Sequence, residues 1–241
     1  MNNNSSDTDI INWYEVDDMK PFLTKTLNPN YDYHHLSIPH HAVIVGSTGT
    51  GKTNLVLSLI KVFSDKKLNK KKLGTFAHIE YYVPSCDEPL LQYLASKSNQ
   101  IQIHENLDKL DIESKDPETN TLIIFDDQVC NKDQSKMLKA FMAGRKYGCS
   151  CIYLSQSMFA TPIFLRKNAH YFWILRLCGK REIDLVMREF SLNMSKEQLR
   201  KIYEHATSNK FTPLMIDCTT VDPYKKFRKG IIEFINPDHF I

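Results

Sequence analysis

No apolar run in this sequence approaches the ~20 residues that a membrane-spanning helix needs, so the chain is read as soluble, with no membrane partner. Its start, MNNNSSDTDI, is polar and carries no apolar stretch of the kind a secretion signal requires. The six cysteines (Cys86, Cys130, Cys149, Cys151, Cys178 and Cys218) include no Cys-x-x-Cys pair and stand in apolar surroundings. That pattern argues for reduced thiols in an intracellular compartment and against a disulfide or zinc framework. A strong charge excess is also missing. With 31 basic and 28 acidic residues the net charge is only +3, too little by itself to argue for nucleic acid. No internal repeat is visible.

What is present fits one large α/β domain, since 241 residues with 42% hydrophobic content can bury a substantial core. Residues 1–38 read as an N-terminal irregular segment, disordered over about the first ten. Residues 39–220 read as the catalytic domain and 221–241 as a basic C-terminal tail. Short apolar segments at 41–46, 76–83, 101–104, 121–127, 149–157, 170–177 and 213–219 are strand candidates. Helical patterns at 53–64, 87–97, 133–146, 181–190 and 195–206 lie among them, with Ser195 placed to cap the last. Continuous apolar strands alternating with helices predict a mostly parallel sheet covered on both faces.

The chemistry begins at HHAVIVGSTGTGKTNLVLSLI. Gly46, Gly51, Lys52 and Thr53 satisfy G-x-x-x-x-G-K-[ST], with a strand before and a helix after. Backbone N–H groups of such a loop and the helix N-terminus form a concave anion site. Gly49 and the small Ser47, Thr48 and Thr50 keep side chains out of it. Lys52 adds charge for the β- and γ-phosphates, and the Thr53 hydroxyl is a ligand for Mg2+. The ligand expected is therefore a nucleoside triphosphate with Mg2+, ATP being the choice. A second element is expected at TLIIFDDQ, where four apolar residues deliver Asp126 and Asp127. Asp126 is the metal-side candidate, acting through water. Asp127 is placed to orient or deprotonate an attacking water, although Glu is commoner there and reaches one methylene further.

Two common uses of a triphosphate fit poorly. NKDQ at 131–134 ends in Gln where guanine readers have Asp, and Val129 stands three residues after Asp126 where they have Gly. A small-molecule kinase would show an arginine-rich lid and no such acidic pair.

The stretch FMAGRKYGCSCIYLSQS, 141–157, takes the reading further. Together with GSTGTGKT, LIIFDD and FLRKNAHYFWIL, it resembles the FtsK–HerA superfamily of DNA-translocating ATPases. More narrowly, it is similar to the genome-packaging ATPases of poxviruses, giant DNA viruses and virophages. The match spans about residues 40–178. The resemblance implies a RecA-like ASCE P-loop NTPase fold in which the strand ending at Gln156 lies between the nucleotide-loop strand and the Asp126 strand. Gln156 would then face the γ-phosphate and report its loss. Arg145 looks like the family's arginine acting on a neighbouring subunit's phosphate, with Arg166 as a rival. The implied partners are double-stranded DNA, further copies of the chain in a homo-hexamer or homo-pentamer ring, and capsid proteins. The implied location is the host cytoplasm (a viral factory) or the virion. The chain is too short to add a nuclease domain.

Two basic clusters support DNA contact only in that light. Lys66, Lys67, Lys70, Lys71 and Lys72 follow the first helix, and KKFRKG at 225–230 lies near the end. Lysines that neutralise phosphates give affinity without reading sequence, which suits a motor moving on any DNA. HHLSIPHH at 34–41 has no nearby cysteine and no metal-site spacing, so it reads as a loop entering the first strand. The function expected is an ATP-driven DNA translocase loading a viral genome. A nucleoside or metabolite kinase and a nucleotide-dependent assembly factor remain as alternatives.

Overall fold

The computed structural model describes residues 11–22, 27–131, 133–191 and 194–241. The expected disorder of residues 1–10 lies outside them. In chain order the elements begin with a single helical turn α1 (Tyr31–His34), strand β1 (His41–Val45), helix α2 (Lys52–Ser64), β2 (His78–Tyr82), α3 (Pro89–Lys97) and β3 (Ile101–His104). Next come β4 (Thr121–Asp126), α4 (Ser135–Ala143), β5 (Cys149–Ser155), α5 (Ile163–Asn168) and β6 (Tyr171–Ile174). The chain closes with α6 (Lys180–Phe190), α7 (Lys196–Ala206), β7 (Leu214–Asp217), α8 (Pro223–Lys226), β8 (Phe227–Lys229) and β9 (Glu233–Phe234). All seven expected strands and all five expected helices are present.

The strands form one nine-stranded sheet in the order β3-β2-β4-β5-β1-β6-β7-β8-β9. It is parallel from β3 to β6 and antiparallel from β6 onward. Because the central strands are buried on both sides, their residues alternate between two cores rather than between core and water. Ala42, Ile44, Leu122, Ile124, Ile152 and Leu154 pack on one face under α2 and α3. Val43 and Val45 face α6 and α7, while Ile123, Phe125, Cys151 and Tyr153 face α4 and α5. In α2, Leu55, Val56, Leu59, Ile60 and Phe63 bury one stripe, each fully buried side chain contributing about 1.5–3 kcal/mol of transfer free energy. Cys149 and Cys151 are buried in the second core, where burial raises both thiol pKa values and keeps them protonated.

The structure corrects the sequence in two places. The helix expected over 133–146 stops at Ala143 and tightens into a 3-10 turn, Gly144–Tyr147, which turns the chain into β5. The C-terminal segment is not a tail apart from the domain: β8 and β9 extend the same sheet. Arg228, only 2% exposed, donates to the carbonyls of His34 (2.7 Å) and His35 (3.1 Å) and pairs with Asp217. A run that reads as basic in sequence thus spends one of its charges tying the C-terminal strands to the segment before β1. That segment is anchored as well, since the Asn30 amide caps the end of α2 through the carbonyls of Val62, Phe63 and Asp65. Among the described residues no helix is long and apolar enough to cross a membrane.

Candidate nucleotide site at the strand ends

The loop Gly46–Gly51 leaves the C-terminal end of β1 at the middle of the sheet. It is pinned on both sides, Gly46 N–H donating to Ser155 O of β5 (3.1 Å) and Ser47 N–H to Arg176 O beyond β6 (3.2 Å). Thr50 Oγ1 closes it by donating to Ser47 O at 2.6 Å. Two glycines are required sterically. A Cβ on Gly46 would lie 2.7 Å from Leu175 Cβ, and one on Gly51 would lie 2.4 Å from Phe211 Cδ1. Gly51 also has φ +101, which L side chains rarely adopt. The first turn of α2 contains no acidic residue, so its free N–H groups and dipole stay available to an anion. Lys52 Nζ donates to Gly46 O at 2.9 Å and so lies across the loop. Burial lowers the lysine pKa, while Asp126 and Asp127 pull it back up.

β5 lies between β1 and β4, so the loop, the acid pair and Gln156 converge at one edge of the sheet. Thr48 Oγ1 donates to Gln156 Oε1 at 3.0 Å, and Gln156 Nε2 donates to Asp127 Oδ2 at 3.2 Å. The glutamine amide therefore bridges the phosphate loop and the second aspartate. Asp127 has left-handed backbone (φ 49), a conformation Asp tolerates better than most residues, and it turns the chain off the strand axis. Asp126 ends β4 and accepts from Tyr81 Oη at 3.1 Å. Burial pushes its carboxyl up to about 6, against the opposing pull of the Tyr81 hydrogen bond and Lys52.

The donors present fit Mg2+. Thr53 in the first turn of α2 and Asp126 offer a hydroxyl and a carboxylate, the sparse oxygen set that this ion takes together with phosphates and water. A carboxyl held at about 6 by burial is an acid whose charge lacks a full counter-charge, which a cation would supply.

Other sequence candidates lie elsewhere. Arg145 precedes β5, at the strands' N-terminal edge, about 20 Å from Gln156 by strand rise. It is exposed and its Nη1 contacts His170 Nε2 at 3.2 Å. Arg166 is 13% exposed and ion-paired with Glu189 of α6. This chain brings neither arginine to its own phosphate loop. Lys66, Lys67, Lys70, Lys71 and Lys72 are all exposed and follow α2, which leads from the phosphate loop to that same far edge. His34, His40 and His41 are buried imidazoles, pushed down by burial to about 3, 4 and 3. Sequence reasoning missed Tyr81, Thr48 as the partner of Gln156, and Glu182. Glu182 accepts from Ser157 Oγ and from Met158 N–H (2.7 Å), tying the segment after Gln156 to the start of α6. Tyr81 and Glu182 belong to no motif and Thr48 fills a variable position of one, so each is identified only by what it touches.

A Gly-Lys-Thr loop between strand and helix, with acid-bearing and glutamine-bearing strands beside it in a mostly parallel sheet, defines a P-loop NTPase fold. The chain belongs to the Poxvirus A32 protein family, which it matches over residues 29–217. Solved structures share the fold. The genome-packaging NTPase B204 of Sulfolobus turreted icosahedral virus 2, in complex with ATP-gammaS, is 16% identical with a TM-score of 0.53, over 76% of this chain and 95% of that one. The DNA-packaging ATPase B204 of Sulfolobus Turreted Icosahedral Virus is 15% identical with a TM-score of 0.53, over 80% and 95%. The pCW3 conjugation coupling protein TcpA is 10% identical with a TM-score of 0.52, over 83% of this chain and 62% of that one. No curated protein sequence matches the chain.

Proposed function

We propose that the chain is an ATP hydrolase that drives double-stranded DNA into a viral capsid as one subunit of a homo-hexamer or homo-pentamer ring. The observation that carries this reading is the Thr48–Gln156–Asp127 bridge, which joins the phosphate loop to an acid through an amide on the intervening strand. The loop N–H groups and Lys52 hold the β- and γ-phosphates. Thr53 and, through water, Asp126 would hold Mg2+, which would offset the negative charge on the β- and γ-phosphate oxygens. Asp127 positions a water for in-line attack and takes its proton.

With a triphosphate bound, Gln156 turns its amide toward the γ-phosphate and gives up its present partners. After hydrolysis it returns to Thr48 and Asp127. Glu182 passes that change to α6 through Ser157 and Met158. The trans arginine comes from a neighbouring copy, and Arg145 is the better candidate because it is exposed while Arg166 is already paired. The lysines at 66–72 are the DNA-contact candidates, and capsid proteins receive the ring.

Duplex-stimulated ATPase assays with Lys52, Asp127, Gln156, Arg145 and Arg166 each replaced by Ala test the proposal. Stimulation by duplex and its loss in Lys52→Ala are expected. Phosphate transfer to a nucleoside with no response to DNA would support a kinase instead, and nucleotide binding without turnover an assembly factor.

A further inference from the structure

The triphosphate reading assigns the phosphates and leaves the base unplaced. Sheet order sets the direction in which the nucleotide must lie. Asp126, Asp127 and Gln156 mark the γ-phosphate end on the β4–β5 side of the loop. The rest of the nucleotide then leaves toward β6 and β7. Because β7 runs antiparallel to β6, its entry residues stand at the same edge of the sheet as the phosphate loop.

Phe211 is in that entry segment. Its ring atoms are what a Cβ on Gly51 would strike, so the ring packs directly against the last residue of the cradle. It is an aromatic with left-handed backbone (φ 69), 44% exposed, with Lys210 Nζ 4.8 Å from the ring centroid. A cavity of about 300 Å³ opens beside it along α2. Its walls include Leu55 and Pro213, with Asn54, Ser58 and Thr212 supplying polar groups. That volume is at the lower end of small-molecule sites, and a mostly apolar wall with a few polar groups is their usual composition. An exposed aromatic in rarely populated backbone, fitted against a phosphate cradle and bordering an apolar cavity, has the chemistry of a base platform.

We propose that Phe211 is the surface on which the nucleobase of the bound triphosphate stacks, with Asn54, Ser58 and Thr212 facing its polar edge or the ribose. This rests on the triphosphate reading of the loop.

The test measures binding of ATP and of inorganic tripolyphosphate, each with Mg2+, to the full chain by calorimetry. Phe211→Ala is expected to weaken ATP roughly tenfold while leaving tripolyphosphate within about twofold. Phe211→Tyr should bind ATP as the unaltered chain does. Phe211→Leu, which keeps bulk against Gly51 without an aromatic face, should lose ATP affinity as the alanine variant does, and it serves if that variant does not fold. Equal losses for both ligands, or ATP affinity retained in Phe211→Leu, would overturn the platform. An unaltered chain that binds neither ligand would instead sink the triphosphate reading, and the platform with it.

Discussion

Asp126→Asn should make the metal-free protein more stable at neutral pH while abolishing ATP hydrolysis. The carboxyl titrates at about 6 in the folded chain against 3.8 for an ordinary aspartate, mainly because burial disfavours its charge. The folded state therefore holds the proton more tightly than the unfolded state, and stability attributable to this group falls as pH rises from about 4 to about 6. At 1.36 kcal/mol per pH unit, a shift of about two units caps the cost of ionised Asp126 at about 3 kcal/mol by pH 8. Asn removes the charge and keeps an oxygen acceptor for Tyr81 Oη. In a chain of 241 residues that gain corresponds to a rise in Tm of roughly 5–10 °C. Thermal melts in EDTA from pH 4 to 8, run on both proteins, check it. Other groups titrate in this range, but their contributions cancel in the difference between the two curves. A difference that stays flat from pH 4 to 8, or an Asn variant less stable at pH 8, would refute the reasoning. Adding MgATP at pH 8 should raise the Tm of the unaltered chain more than that of Asp126→Asn.

Gly51→Ala should eliminate nucleotide binding and cost at least about 2 kcal/mol, because its Cβ meets Phe211 at 2.4 Å in a backbone region foreign to alanine; calorimetry and urea melts read both effects. Arg166→Ala should lose about 2 kcal/mol by leaving Glu189 without its partner. Arg145→Ala should stay within about 0.5 kcal/mol of the unaltered chain in the same melts while losing DNA-stimulated turnover. Replacing Lys66, Lys67, Lys70, Lys71 and Lys72 together with Ala should leave the Tm unchanged and flatten the salt dependence of duplex affinity, by about 0.9 in log–log slope for each DNA phosphate no longer neutralised. His34, His40 and His41 are held neutral by burial, at about 3, 4 and 3, so folding excludes protons that the unfolded chain takes up. Their stabilisation is present above pH 6.5 and falls by about 1.4 kcal/mol per histidine per unit below it, which urea melts at pH 7 and pH 5 measure, with His40→Gln reducing the slope.

The sheet, the phosphate loop and the acid pair were legible in the order of residues along the chain. Each is a local matter: apolar runs of strand length flanked by helix-period patterns, and a run of small residues ending in Lys52 and Thr53 that has one evident use. The same order also put Gln156 on the strand between the other two, through a resemblance that carries strand order along with residue identity. Which charges are free became visible only once the chain was folded. Arg228 and Arg166 read in sequence like any surface basic residue, and only packing shows one bonded to the carbonyls of His34 and His35 and the other paired with Glu189. The same holds for Tyr81 on Asp126, Glu182 on the segment after Gln156, and Phe211 against Gly51. These pairings join residues from 23 to 194 positions apart in the chain, and no periodicity or motif reports a distance of that kind.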